Sequence, residues 1–379
     1  MKVKLESFLQ EVSEKTTENN QYQVLTSSKV GLYLQSDYFN KQVASKDNKG
    51  YKIIKKGQFT YRAMSDTGEF FPNMLECTDI GIVSPAYPVF EIVKPVIIPE
   101  YLKYYFKSNG FQQSISSFAQ GSTRTSIKYG KLKTVSMDLP NLEEQKRVIA
   151  ILDTIHNIID SSKQELKMFD DLIKARFVEM FGNITTGNYK YHTKKLGDVA
   201  NVGSSHRVFT TEFVESGIPF YRGTEIGELA SGIKPTEPYY ISEEHYNRLA
   251  NDDTKPQIGD LLMPSICNKG QVWMVDTDEP FYYKDGRVLC ISPDREVFDT
   301  KYLEYFMRAK TLVEYPKIGS GSTFAEFKIF LLKDIDVLIP PRNTQEQFSN
   351  FVRATDKSKL MFQKLHQKLN ILRQKAGNI

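Results

Sequence analysis

Apolar residues recur at alternating steps of three and four along residues 141–182. This spacing places them on one side of an α-helix, and a row of that length is typical of a helix packed against another helix. Asn141 and Glu144 fit the capping pattern of a first helical turn, and Gly182 fits a left-handed C-terminal cap. We therefore predict a long helix between these ends. Its apolar row consists of Val148, Leu152, Ile155, Ile159, Leu166, Phe169, Ile173 and Met180, with Ser162 and Arg176 in the gaps.

A second apolar row lies near the end of the chain. Thr344 and Gln347 fit a capping pattern at its start, and Gly377 follows its last turn. We expect this second helix to pack against the first. Its row consists of Phe348, Phe351, Phe362, Leu365, Leu369 and Leu372, with Thr355 and Ser358 in the gap.

The two helices belong to a repeat with a period of about 200 residues. The matching segments are Lys4-Leu5 with Lys195-Leu196, Lys56-Gly57 with Ile258-Gly259, Tyr101-Leu102-Lys103-Tyr104 with Tyr302-Leu303-Glu304-Tyr305, and Gly121-Ser122-Thr123 with Gly321-Ser322-Thr323. A chain of 379 residues is long enough for two ordinary cores. We predict a first domain at 1–140, a helix at 141–182, a linker at 183–194, a second domain at 195–340 and a second helix at 341–379.

Both domains have the pattern of a mixed α+β fold. In the first domain we predict a helix at Leu5–Val12, strands near Tyr51–Ile54, Gln58–Met64 and Ile80–Ser84, and a helix from Pro99 to about Lys107. In the second we predict strands at Asp260–Met263, Gln271–Val275 and Val288–Ser292, and a helix at Tyr302–Arg308 capped by Asp299.

The middle segments of the two domains do not match, because residues 15–50 and 205–255 share no pattern. A common frame with unlike middles is what we expect of two domains that recognise unlike targets. A duplicated enzyme would show its chemistry in at least one half.

Catalytic chemistry is hard to find in the sequence. The five histidines form no HExxH motif and no cluster with cysteine, so we predict no metal site. No glycine-rich turn between a strand and a helix suggests a dinucleotide. We therefore predict no catalytic residue and no cofactor bound by this chain.

Composition favours a cytoplasmic protein without a membrane segment, because no apolar run approaches the ~20 residues that a membrane span needs. The net charge of +4, from 50 basic and 46 acidic residues, allows a DNA partner without demanding one. Cys77, Cys267 and Cys290 are too scattered for a disulfide framework or a zinc motif, and we predict buried free thiols.

The repeat suggests a geometry for two such domains. If the apolar rows meet, pseudo-twofold symmetry makes the helices antiparallel and places the domains at opposite ends of a spacer. At 1.5 Å per residue the spacer is roughly 45 to 55 Å long. B-DNA repeats its grooves about every 34 Å, so two inverted domains on a rigid spacer suit a split site on one duplex.

These features together resemble the specificity subunits of type I restriction–modification systems. The resemblance rests on the duplication with its Gly-Ser-Thr segments, on the helix entries Leu139–Gln145 and Pro340–Gln347, and on the run from Lys56-Gly57-Gln58-Phe59 to Met64-Ser65-Asp66. It implies two target-recognition domains of mixed α/β fold, separated by an antiparallel coiled coil, that bind a bipartite and asymmetric sequence in double-stranded DNA.

The resemblance also implies a subunit that is not itself an enzyme. Its partners would be two methyltransferase subunits that use S-adenosylmethionine, to which restriction subunits that translocate DNA with ATP and Mg²⁺ can attach. A scaffold protein whose two domains bind other proteins remains the alternative.

Candidate contact residues follow from residue type and position. Arginine and lysine suit guanine and phosphate, although a solvated surface charge is the competing interpretation of each. The DNA candidates are Tyr61, Arg62, Arg124, Lys128, Arg207, Arg222, Lys269 and Arg287. Apolar residues outside the main row of the first helix are candidates for partner binding, with packing inside this chain as the competing interpretation. They are Ile149, Ile151, Ile158, Leu172 and Phe177.

Overall fold

The structure of the protein is a computed structural model that describes residues 2–38, 47–118, 125–250, 254–318 and 325–376. The chain divides into two compact units. The first unit is Met1–Glu165 with Phe362–Ile379, and the second unit is Leu166–Met361.

The first unit has twelve strands among its described residues. They are β1 Lys2–Lys4, β2 Leu9–Val12, β3 Leu25–Ser27, β4 Leu32–Leu34, β5 Lys52–Lys55, β6 Phe59–Thr60, β7 Met64–Ser65, β8 Asn73–Met74, β9 Ile80–Val83, β10 Val89–Ile92, β11 Thr125–Ser126 and β12 Ser136–Asp138. A 3₁₀ turn spans Leu5–Ser7, and the helices that start in this unit are α1 Gln35–Tyr38, α2 Pro99–Tyr105, α3 Asn109–Ser116, α4 Tyr129–Leu132 and α5 Leu142–Phe181.

An antiparallel sheet in the order β2, β10, β6, β8 forms the centre of the first unit. Its core is aromatic: Phe59 stacks on Phe90 with ring centroids 5.7 Å apart, and Phe106 meets Phe59 edge-on. Strand β1 pairs with β12 and so joins the start of the chain to the entry of α5.

The second unit carries the remaining strands and helices. The strands are β13 Gly182–Asn183, β14 Asn188–Tyr189, β15 Thr193–Lys195, β16 Ala200–Gly203, β17 Phe213–Val214, β18 Ile218–Tyr221, β19 Tyr239–Ile241, β20 Leu261–Pro264, β21 Trp273–Met274, β22 Tyr282–Tyr283, β23 Val288–Pro293 and β24 Asp336–Leu338. The helices are α6 Leu196–Val199, α7 Gly223–Ala230, α8 Glu243–Leu249, α9 Thr300–Ile318, α10 Ile329–Lys333 and α11 Arg342–Ala376, with a 3₁₀ turn at Thr210–Glu212.

The frame of the second unit repeats that of the first. Its antiparallel sheet has the order β16, β23, β20, β21, and β15 pairs with β24 as β1 pairs with β12. The amide of Leu5 donates to the carbonyl of Val135 at 3.0 Å, and the amide of Leu196 donates to that of Ile335 at 2.8 Å. The repeat predicted from sequence is therefore present in the hydrogen bonds.

A buried glutamine fixes the entry of each long helix. The Gln145 side chain accepts from the Ile98 amide at 2.8 Å and donates to the carbonyls of Val96 and Pro140 at 3.0 and 2.9 Å. The Gln345 side chain makes the equivalent three bonds, with Asp299, Val297 and Pro340. Each amide satisfies backbone groups that the joint between strand and helix would otherwise leave unpaired.

The middles of the two frames have different structures, as their sequences predicted. In the first unit β3 and β4 form a small antiparallel pair within residues 15–50, and a second pair, β5 with β9, lies next to it. In the second unit residues 205–255 form β17, β18 and β19 with the helices α7 and α8, and β22 from later in the chain completes a four-stranded sheet in the order β17, β19, β18, β22. Strands β18 and β22 run parallel.

Helix α5 has the ends and the apolar row that the sequence predicts. The Asn141 side chain accepts from the Glu144 amide at 2.9 Å, and Gly182 follows the helix with φ of +96°. Every predicted row position of α5 is buried or half-buried, including Ser162 and Arg176.

Within the second unit α5 and α11 pack side by side in opposite directions. Phe177 meets Phe348 edge-on at 5.4 Å between centroids, the Arg176 guanidinium lies 6.0 Å from the centre of the Phe351 ring, and Asp170 pairs with Lys359. Positions that rise along α5 meet positions that fall along α11, so the contact is antiparallel. The predicted class, mixed α+β with duplicated domains and long antiparallel helices, is confirmed.

Three local predictions need correction. Residues Leu5–Val12 form no α-helix, because Leu5–Ser7 is a single 3₁₀ turn and Leu9–Val12 pairs with β10 as a strand. Helix α11 begins at Arg342, so Thr344 lies inside its first turn instead of capping it. The buried row of α11 runs through Val352, Thr355 and Leu369. Three predicted positions of that row are exposed: Ser358, Leu365 and Leu372.

Candidate nucleic-acid interface

Basic side chains of the second unit come together where several strands end. Arg222 directly follows β18, and Arg287 directly precedes β23. The Ser265 amide, just after β20, donates to the carbonyl of Arg287 at 2.8 Å, and Gly223 packs against Pro264. Strand β18 of the middle and strands β20 and β23 of the frame therefore bring Arg222 and Arg287 close together.

Arg207 and Lys284 belong to the same neighbourhood. The Lys284 amide donates to the carbonyl of Tyr221 at 2.9 Å, beside Arg222, and the Ser205 hydroxyl donates to the carbonyl of Tyr283 at 2.5 Å. Strands β18 and β22 run parallel, so the residues that follow them, Arg222 and Lys284, leave the sheet at the same edge. Three of the four predicted DNA candidates of this unit are therefore neighbours.

Each of these arginines is held by a carboxylate. Arg207 Nε lies 3.2 Å from Asp285 Oδ2, Arg287 Nη1 lies 2.7 Å from Glu326 Oε2, and Arg222 makes a two-bond contact with Glu225. Lys328 also bonds to Glu326. In this group five cations, with Lys284 and Lys328, outnumber three carboxylates, so the group is positive and suits a polyanion.

Two of these carboxylates, Glu225 and Glu326, have a lowered pKa and remain charged in this setting. The hydrogen bond from Lys328, with the charge of Arg287, lowers the pKa of Glu326. Burial by itself would raise the pKa of Glu225, but the hydrogen bonds from the side chain and amide of Arg222 outweigh it and the pKa is lowered. These ion pairs therefore stay formed at neutral pH and fix where each guanidinium points.

Aromatic rings accompany two of the arginines. The Arg222 guanidinium lies 4.4 Å from the centre of the Tyr239 ring, and Tyr239 stacks on Phe213 at 4.6 Å. Arg207 lies 5.9 Å from the centre of the Phe209 ring. Phe209 and Tyr239 are both exposed. Exposed rings beside cations are common where proteins bind nucleic acid.

In the first unit Arg62 and Lys128 lie at the corresponding place. The Ile127 amide donates to the carbonyl of Ala63 at 2.9 Å, as the Phe327 amide donates to that of Ser265 at 2.7 Å in the second unit. Arg62 and Lys128 are exposed, and within the described part of the chain neither side chain makes a hydrogen bond or ion pair.

Three other DNA candidates do not join these groups. Tyr61 has no exposed surface, and its hydroxyl donates to the carbonyl of Ile127 at 3.0 Å, so the expectation of an accessible side chain is wrong there. Burial raises the pKa of Tyr61. Lys269 is exposed but lines a separate cavity of about 960 Å³ beside α9. Arg124 and the two Gly-Ser-Thr segments lie outside the described residues, as does Gly377.

The partner-binding candidates divide into two groups. Ile158 is 41% exposed and Leu172 is 48% exposed, and Ile151 is exposed as well. Ile149 is half-buried against the core of the first unit. Phe177 is 1% exposed inside the core of the second unit, because it packs between Phe348 and the rings of α9, so its assignment to an open surface is wrong.

Sequence reasoning missed Lys284, Lys328, Phe209 and Tyr239. For Lys328 a signal was available, because it is the repeat equivalent of Lys128. The other three lie in or beside a middle that has no counterpart, and only the strand pairing brings them to the arginines. On α5 the exposed Met168 and Val178 were also missed.

No group of metal-binding side chains occurs in the described segments, and none of their helices is apolar and long enough to cross a membrane.

Comparison with known proteins gives three findings. The family model described as "Type I restriction modification DNA specificity domain" matches residues 6–168. The type I restriction enzyme MjaIX specificity subunit of Methanocaldococcus jannaschii is 23% identical over 69% of this chain and 63% of its own length, so the chain spans less than two thirds of that relative. The MjaVIII specificity subunit of the same organism is 22% identical over 86% of this chain and 79% of its own length. The chain is therefore similar to the specificity subunits of type I restriction enzymes, and residues 6–168 carry the match to the family model.

A solved structure has a similar fold over the full length of this chain. A chain from a study of complex assembly and conformational transition of the type I restriction–modification system matches 100% of this chain and 96% of its own. The TM-score is 0.63 at 16% identity, which is a likeness of fold.

Proposed function

We propose that this specificity subunit binds double-stranded DNA at a bipartite, asymmetric sequence, with one half read by each repeat. The observation that carries the proposal is the group Arg207, Arg222 and Arg287, which three carboxylates hold at one edge of the second unit. Arg62 and Lys128 occupy the equivalent place in the first unit. The two units share a frame but differ in their middle segments, and this difference accounts for two half-sites of different sequence.

The proposal gives the chain no catalytic role. Methylation with S-adenosylmethionine and restriction with ATP and Mg²⁺ belong to partner subunits in the cytoplasm, two of them methyltransferases. The domain bounds 1–140 and 195–340, the spacer helices 141–182 and 341–379 and the linker 183–194 are part of the same proposal, with the helices setting the gap between the half-sites. The names of the relatives, specificity subunits of type I restriction enzymes, support it.

DNA binding is tested by selection from a library of randomised duplexes with the purified chain. We expect one enriched motif in two parts with a constant gap. Methylation mapping in cells that carry this chain and a neighbouring methyltransferase gene should return the same motif. A chain that enriches no sequence would contradict the proposal and favour a scaffold that binds proteins.

For partner docking we propose the exposed positions Ile151, Ile158 and Leu172 of α5, which repeat at multiples of seven residues. We expect Ile158→Asp with Leu172→Asp to abolish co-purification with a methyltransferase subunit. Each substitution would place a charge in an apolar contact that becomes buried when the subunit binds. The matched control is Asn157→Asp with Gln164→Asp, which adds the same two negative charges at neighbouring exposed positions of α5.

Both double variants should keep the thermal midpoint of the unmodified chain, because none of the four positions is buried. Unchanged co-purification of the Ile158 and Leu172 variant would contradict this surface.

A further inference from the structure

Arg222 is fixed in position more firmly than the other basic residues of the second unit. Its Nε and Nη2 donate to Glu225 Oε2 and Oε1 at 3.1 and 2.6 Å. The guanidinium carbon lies 4.4 Å from the centre of the Tyr239 ring, and this ring is in turn stacked on Phe213 with an interplanar angle of 7°. The two bonds to one carboxylate therefore orient the planar guanidinium, and the ring supports it from one side.

Glu225 is itself anchored, so the fork has a rigid support. It is the third residue of α7, it is almost fully buried, and its Oε2 accepts from the Arg222 amide at 2.7 Å. That bond satisfies an unpaired amide at the start of the helix. Rotation of the Glu225 carboxylate would break the helix cap and the arginine contact together.

The contact with Glu225 leaves part of the guanidinium for another ligand. Nη1 takes no part in that contact, and the Arg222 side chain is 38% exposed, although the guanidinium also has a weaker hydrogen-bond interaction with the Tyr239 side chain. Nη1 and the second hydrogen of Nη2 form a planar pair of donors. Guanine presents two acceptors, O6 and N7, at the matching spacing in the major groove. Adenine places a donor where O6 stands in guanine, so the same edge discriminates against it.

Arg207 and Arg287 differ from Arg222 in exposure and in the number of bonds to their carboxylates. Their side chains are 69% and 58% exposed, and each is held by a single bond to its carboxylate. Neither has the fixed plane that base recognition needs, and contact with phosphate suits them better.

From this contrast we infer that Arg222 is a specificity-determining residue that reads one guanine in the half-site of the second unit, with Glu225 and Tyr239 as its positioning residues. The inference rests on the proposed function, because it names the base that the proposed interface recognises.

The test uses the full-length chain and the duplex selection described above. The unmodified chain first defines the motif, and failure at this step contradicts the proposed function. Arg222→Lys keeps the charge and Arg222→Gln removes it. For both we expect the preference for one guanine to fall on the order of 10- to 100-fold, while every other motif position keeps its preference.

Positioning is tested by Tyr239→Phe and Tyr239→Ala. The phenylalanine keeps a ring under the guanidinium and should retain the guanine preference, whereas the alanine should weaken it at the same base. Arg248→Gln is the control: Arg248 is an arginine of the same unit that lies near a carboxylate, Glu212, but it lies on α8 and its side chain is 69% exposed. It should leave the whole motif unchanged. Thermal midpoints identify any variant that is not folded.

Two results would overturn the inference while leaving DNA binding intact. In the first, the Arg222→Lys variant selects the same motif as the unmodified chain and loses affinity equally for selected and random duplexes. This result would mean that Arg222 contacts phosphate and not a base. The other is a half-site for the second unit without guanine.

Discussion

The buried amides of Gln145 and Gln345 act at the scale of single residues. Each satisfies three backbone groups at the start of a long helix. Gln345→Ala leaves an amide and two carbonyls unpaired, and each such group costs about 1 to 3 kcal/mol. We expect the free energy of unfolding of the second unit to fall by about 3 kcal/mol or more, measured by denaturant titration.

Gln347 provides the control for this prediction, because it lies two residues further along α11 and is exposed. Gln347→Ala should change the free energy of unfolding by less than about 0.5 kcal/mol. Equal effects of the two substitutions would show that the side-chain bonds of Gln345 add nothing to stability.

The three cysteines differ in exposure, which corrects the expectation that all are buried. Cys77 is exposed, whereas Cys267 and Cys290 are buried. Burial raises the pKa of Cys290 to about 12 and also raises that of Cys267, so neither forms the reactive thiolate at neutral pH. We expect one rapidly alkylated thiol per native chain at pH 8, lost in Cys77→Ser. Mass spectrometry of the labelled chain measures this, and rapid labelling of Cys290 would contradict it.

At the scale of elements, the end of α5 depends on Gly182. The residue has φ of +96°, and a Cβ there would overlap the Asn188 carbonyl across the β13–β14 pair. Gly182→Ala combines backbone strain with this overlap, so we expect a loss of about 2 to 4 kcal/mol in the free energy of unfolding.

Gly187 separates these two causes. It also has a positive φ, of +70°, but no atom lies within 4 Å of the place where its Cβ would stand. Gly187→Ala should therefore cost only about 1 kcal/mol, from strain alone. A Gly182→Ala variant as stable as the Gly187→Ala variant would contradict the close approach.

Long elements could be predicted from the sequence more reliably than short ones. The row on α5 repeats over many turns, so its apolar positions and its ends at Asn141 and Gly182 were correct. Leu5, Phe8 and Val12 have helical spacing as well, yet β10 offers a sheet edge that decides for a strand. On α11 the apolar residues occupy two faces, and only packing against α5 shows which face is buried.

The candidate site was predictable only in part for the same reason. Residue type and turn position located Arg62, Arg207 and Arg287 at exposed positions and Arg222 at a half-buried one. Tyr61 and Phe177 were misplaced because an aromatic side chain gives no sign of which way it faces until its neighbours are known. The carboxylate partner of Arg207 is far away along the chain, and the strand pairing alone brings Asp285 to it.

At the scale of the whole molecule, the duplication implies that each unit recognises its half-site with its own set of residues. Arg62 lies beside the aromatic core of the first unit, and Arg287 lies beside Ser265 and Glu326 in the second. The two arginines share no described partner. Energetic effects at sites without shared partners are usually additive within about 0.5 kcal/mol.

Additivity can be measured with a double-mutant cycle on the selected duplex. We expect Arg62→Ala and Arg287→Ala each to weaken binding by about 1 to 3 kcal/mol, and the double variant to show the sum. Arg287→Ala with Lys328→Ala is the matched control, because both cations bind Glu326, so their effects should differ from the sum by at least about 0.5 kcal/mol. Fluorescence anisotropy gives the dissociation constants. Coupling above about 1 kcal/mol between Arg62 and Arg287 would mean that the two half-sites are not read independently.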